Sequence, residues 1–71
     1  MPLMLMKVGE SGQIIRISGK QEVRTHLAEL GFVVGQELSV VQSLSGSIIV
    51  QVKDSRIGLD RSLASKIEVE V

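Results

Sequence analysis

Residues 36–60 read QELSVVQSLSGSIIVQVKDSRIGLD. Apolar and polar residues alternate through most of this stretch, and two clusters of turn-forming residues interrupt it. Leu38 and Val40 share one face of a first strand. Ile48, Val50 and Val52 share one face of a second, and Ile57 and Leu59 point inward from a third. Strand side chains alternate between faces with period two, so each segment can bury one face and leave the other in water. Ser43-Leu44-Ser45-Gly46 is a hairpin turn, and Lys53-Asp54-Ser55-Arg56 a second tight turn. Gly58, between two inward residues, predicts a close backbone approach or a bulge. Short strands joined this tightly set the class as mainly β.

Downstream, KIEVEV (Lys66–Val71) predicts a final strand with Ile67, Val69 and Val71 on one face. Glu68 and Glu70 on the other face discourage edge-to-edge association. Asp60 is a good N-cap for one helical turn, Arg61 to Ala64, before that strand. Upstream, GQIIRIS (Gly12–Ser18) predicts a strand with Ile15 and Ile17 on one face and Ile14 and Arg16 on the other. The glycines of GESG (Gly9–Gly12) mark a turn before it, and Leu3, Leu5 and Val8 form an apolar lead-in.

Ser18 followed by Gln21 fits a capping box that opens a short helix, roughly Lys20 to Leu30. Val23, Leu27 and Leu30 lie on one helical stripe, and Gly31 suits the left-handed C′ position that stops a helix. Five short strands, one inserted helix and one helical turn close best as a small barrel or sandwich.

The chain has 71 residues, which suits one small domain over residues 1–71. Eight basic and eight acidic residues give zero formal net charge, and no two basic residues are adjacent. Nucleic-acid binding needs clustered positive charge and commonly uses aromatic stacking, yet Phe32 is the only aromatic residue. Nucleic acid is therefore not the expected partner. Without cysteine, thiolate metal sites, disulfides and cysteine nucleophiles are excluded. The apolar runs are far shorter than the roughly 20 residues that cross a bilayer, and MPLMLMKVGE lacks a signal peptide's charged start. The expectation is a soluble, untargeted chain with no membrane insertion, compatible with the cytoplasm.

No catalytic motif is visible, and His26 is the only histidine. An enzyme is not expected. Glu22, His26 and Glu29 stand at i, i+4 and i+7 of the helix, where they could offer oxygen and imidazole to a divalent transition metal such as ferrous iron or zinc. The competing view is an exposed helix face carrying a weak Glu–His pair, and no cofactor is required. Phe32, Val33 and Val34 are three consecutive apolar residues, which cannot all point inward from an extended segment. They form a candidate partner-contact patch.

Taken together, KVGESGQIIRI, LAELGFVVGQELSVVQ and SIIVQVKDSRIGLDRSLASKIEV resemble the ferrous iron transport protein A (FeoA) family, from about Leu3 to Val71. The most specific parts are Leu27, Leu30, Gly31, Phe32 and Gly35, and then Arg56, Ile57, Leu59, Ala64 and Ile67. The resemblance implies an SH3-like small β-barrel with an inserted helix. It also implies an accessory or regulatory role in bacterial ferrous iron uptake, by interaction with the cytoplasmic GTP-binding domain, or another cytoplasmic part, of the FeoB permease. The same domain type ends DtxR-type metal-dependent repressors, which makes divalent-metal sensing the alternative. Val34 stands where relatives often place proline, and the Val41–Ile48 hairpin is also proline-free. Both turns are therefore less preset.

Overall fold

The computed structural model describes residues 1–71. After a 3₁₀ turn at Leu3–Leu5 come β1 (Ser11–Ile17), α1 (Gln21–Glu29), β2 (Glu37–Leu44), β3 (Ser47–Val52), β4 (Ser55–Asp60), α2 (Arg61–Ala64) and β5 (Ile67–Glu70). The five strands form one antiparallel sheet in the order β4-β3-β2-β1-β5. The middle of the chain makes the meander that its alternation predicts. Leu38 and Val40 of β2, Ile48, Val50 and Val52 of β3, and Leu59 of β4 are all buried, with Ile57 packed against them. Both hairpins close on two residues, since Leu44 pairs with Ser47 and Val52 with Ser55. Lys53 takes a positive φ of 54° in the second of them.

β1 is shared between two neighbours. Ser11–Gln13 pair with β2, and Gln13–Ile17 pair with β5. The β1–β5 register shifts between Ile14 and Arg16, which leaves Ile15 as the extra residue of a bulge. A bulge resets the alternation and bends the strand. Ile14 is therefore fully buried while Ile15 is 43% exposed, so Ile15 and Ile17 do not share a face as simple alternation predicts. β2 carries a second register shift, between Val40 and Gln42. β3 and β4 pair without interruption over six residues, so Gly58 marks no bulge. A Cβ at Gly58 would stand 3.9 Å from Ile49 Cγ1, ordinary van der Waals contact, so no close approach explains the glycine either.

α1 joins the core through Leu27, which is fully buried, with Val23 and Leu30 packed against the same cluster. The predicted capping box does not form. Lys20 is the N-cap and offers no side-chain bond. Ser18 is instead drawn to β5, its backbone N–H and its Oγ both donating to the Lys66 carbonyl, at 2.8 and 3.4 Å. Asp60 does cap α2, its Oδ1 accepting from the Leu63 N–H at 2.8 Å.

The N-terminal residues add a short cover beyond β5. Val69 and Met1 exchange hydrogen bonds of 2.7 and 2.6 Å, and Pro2 bridges Glu68. Leu3 and Met6 enter the core from this segment, whereas Leu5 and Val8 stay exposed, so the apolar lead-in buries a different set of residues. Val71 lies past β5 and is 65% exposed, not inward. The core is one cluster of 14 buried apolar side chains, and no polar or charged side chain is buried.

Candidate docking surface at the α1–β2 corner

The segment from Leu27 to Gly35 changes character at one residue. The α1 C-terminus is a Schellman motif, in which the N–H groups of C′ and C″ satisfy two carbonyls the helix leaves unpaired. Gly31 donates to the Ala28 carbonyl at 3.0 Å, and Phe32 donates to the Leu27 carbonyl at 2.9 Å. Gly31 has φ +106°, a conformation that strains any residue with a Cβ. This motif commonly brings together the side chains at C″ and C3. Here those are Phe32 and Leu27, both fully buried in the one core cluster.

Phe32 therefore does not belong to the contact patch. Its ring is the largest fully buried side chain of the domain and presents no surface to a partner. The spacing Leu-x-x-Leu-Gly-Phe carries a legible signal for this, because a glycine stop followed by a large apolar residue is the motif's own pattern.

Val33 and Val34 lie on the other side of that boundary, 45% and 64% exposed. They are held in place by their neighbours. The Gln36 N–H closes the turn onto the Val33 carbonyl at 3.0 Å. Gly35 donates its N–H to the Ile14 carbonyl at 2.8 Å and accepts from Gln13 Nε2 at 3.0 Å. The turn is thus pinned to β1 beside the bulge that turns Ile15 outward. Ile15 is a third exposed aliphatic residue at this corner. Period-two counting missed it, because the bulge depends on pairing with β5, more than 50 residues away in sequence.

Gln36 also lines a groove of about 250 Å³ with Ser11, Glu37, Leu38, Ser39, Gln51 and Lys53. Leu38 is its single apolar residue.

Glu22, His26 and Glu29 are all exposed on α1. No three His, Asp or Glu side chains anywhere in the chain are gathered closely enough to hold a metal ion. A metal centre needs converging donors at bonding distance, and these residues do not supply one. No helix is long and apolar enough to cross a membrane.

The chain matches the FeoA domain family over residues 1–71. It is 34% identical over 73 residues to an Fe(2+) transport protein A/Fe(2+) transporter FeoB fusion protein of Porphyromonas gingivalis, covering 100% of this chain but only 9% of the fusion. It is 33% identical over 69 residues to a putative Fe(2+) transport protein A of Methanocaldococcus jannaschii, covering 97% of this chain and 84% of the relative. Among solved structures, Stenotrophomonas maltophilia FeoA complexed with zinc, described as a procaryotic SH3 domain protein, superposes with a TM-score of 0.84 at 26% identity. That match covers 99% of this chain and 89% of the other. A manganese-dependent transcriptional repressor superposes with a TM-score of 0.90 at 24% identity, covering 97% of this chain and 40% of the repressor, a likeness of fold alone.

Proposed function

The chain belongs to the FeoA domain family and has its SH3-like fold, and from that premise we propose that residues 1–71 act as a single accessory domain of ferrous iron uptake that docks on a FeoB-type permease. The observation that carries the proposal is the Porphyromonas gingivalis fusion, in which a region similar to this whole chain shares one polypeptide with a FeoB transporter. Fusion keeps two functions together at high effective concentration, as expected where the separate chains associate. The proposed occupant of the surface is a cytoplasmic part of the permease, its GTP-binding domain first, and the proposal includes a cytoplasmic location for this chain.

The proposed role is binding, in keeping with the FeoA domain family. The surface proposed to dock comprises Val33, Val34 and Ile15, exposed aliphatic residues on segments joined by the Gly35 hydrogen bonds to Ile14 and Gln13. A turn tied down in this way loses less conformational entropy on binding than a free one.

A second reading, direct contact with a divalent ion, draws on the zinc-complexed Stenotrophomonas maltophilia relative. Here it would rest on the exposed His26 alone or with one neighbouring glutamate, a weak and open arrangement. His26 ring signals that stay unmoved by excess ferrous or zinc ion would remove it. The main proposal is tested by a binding assay with the isolated cytoplasmic GTP-binding domain of the permease, with and without nucleotide. Saturable binding supports it, and no binding at high micromolar concentration in either nucleotide state contradicts it.

A further inference from the structure

The two outer edges of the sheet are treated differently. At β5 the Met1 backbone occupies the outward groups of Val69, and a proline follows it, so that edge is closed by the chain itself. At β4 nothing is paired beyond β3. The strand is the terminal one of the sheet, and no hydrogen bond outside the β3–β4 ladder reaches the backbone of residues 55–60. The edge has no bulge, and residues 55–60 contain no proline. These are the features by which edges are usually protected.

We propose that the outer edge of β4 pairs with the same edge of a second copy of this chain. The two-residue turn makes Val52 and Ser55 the closing hydrogen-bonded pair, so Ser55, Ile57 and Leu59 turn their backbone groups toward β3. Arg56, Gly58 and Asp60 turn theirs outward, and all three are exposed. Antiparallel pairing about a two-fold axis at Gly58 sets Gly58 against Gly58 of the second copy. It then sets Arg56 against Asp60 of the second copy, and Asp60 against Arg56 of the second copy. The edge is complementary in charge to itself in the one register that centres on the glycine.

Two details support a second copy as the occupant. Arg56 uses only Nε, bonding Gln51 Oε1 at 3.2 Å, and keeps its remaining N–H groups for a carboxylate. Asp60 uses Oδ1 to cap α2 and keeps Oδ2. Opposed charges on neighbouring strands stabilise pairing, and like charges oppose it. The surface lies on a different strand from the Val33–Val34 turn, so the inference stands apart from the permease proposal.

The test is a dilution series of the intact chain from millimolar to micromolar, followed by NMR and sedimentation. Concentration-dependent amide shifts should concentrate on Arg56, Gly58 and Asp60. In a mixed-label sample, the Ile57 Hα of one copy should show a cross-peak to the Leu59 Hα of the other, since that pair is the close, non-hydrogen-bonded one. Arg56→Glu places like charges together twice per dimer and should weaken association about tenfold without changing the melting temperature. Asp60→Asn keeps the helix cap and should weaken it less. A monomer at millimolar concentration overturns the proposal. So does a dimer whose shifts lie elsewhere, or one that both variants leave unchanged.

Discussion

Leu27–Phe32 and Val33–Gly35 adjoin in sequence and share the same apolar character, yet they do opposite things. In the first half the large apolar side chains and the backbone of the helix end are consumed internally. Leu27 and Phe32 fill the core, and Gly31 bends the backbone so that two orphan carbonyls are satisfied. In the second half only the backbone is consumed, by bonds to Ile14, Gln13 and Gln36. The valine side chains are left in water. Hydrophobicity alone does not separate core from contact surface. The helix stop decides it, because the residue at C″ is folded back onto the helix and the next two residues are not.

Substitutions on either side of that boundary should separate stability from binding. Phe32→Ala should have the largest effect, a loss of about 3–5 kcal/mol, with Leu27→Ala costing about 2–5 kcal/mol. Either loss is comparable with the whole stability of a domain this small, so chemical denaturation should find these variants largely unfolded. A well-folded Phe32→Ala would break the comparison, because it would mean that the ring is not part of the core. Gly31→Ala comes next. A Cβ at φ +106° would also stand 3.5 Å from Val52 Cγ1, and the strain should cost about 1–2 kcal/mol. That corresponds to a melting temperature lower by roughly 4–8 °C per kcal/mol. An unchanged melting temperature would refute the left-handed assignment.

Val33→Ser combined with Val34→Ser should change stability least, by no more than about 0.5 kcal/mol, since both residues are exposed. If this double variant unfolds as readily as Leu27→Ala, the two halves are not distinct. Lys53→Gly sharpens the contrast from another turn. A glycine relieves the positive φ of 54° at a site with no apolar duty, so thermal denaturation should show it neutral or stabilised by a few tenths of a kcal/mol.

The sheet was legible from sequence because alternation at Leu38–Val40, Ile48–Val52 and Ile67–Val69 reflects a local rule of strand geometry. So were the glycine stop at Gly31 and the cap at Asp60. What sequence did not reveal depends on distant partners. The bulge that buries Ile14 and exposes Ile15 arises from register with β5. Ser18 leaves the capping box because the Lys66 carbonyl lies within reach, and Met1 covers β5 only after β5 exists. The candidate surface was half legible. Three consecutive apolar residues marked Phe32–Val34 correctly as a place where some side chain must be exposed. Which ones are exposed follows from the Schellman motif, which folds Phe32 at C″ back onto Leu27 and leaves Val33 and Val34 outside. The helix face of Glu22, His26 and Glu29 shows the limit of spacing alone, since a shared stripe does not make three side chains converge on one ion.

The most direct test of the proposed docking role is an NMR titration of the isotope-labelled chain with the permease's cytoplasmic GTP-binding domain, repeated with the Val33→Ser, Val34→Ser variant. Saturable shifts centred on Val33, Val34, Gly35 and Ile15, lost in the variant while its own spectrum stays folded, are the predicted result. Saturable binding that maps elsewhere and survives the double substitution would contradict the assignment of this corner, and an unperturbed spectrum would contradict the docking role itself.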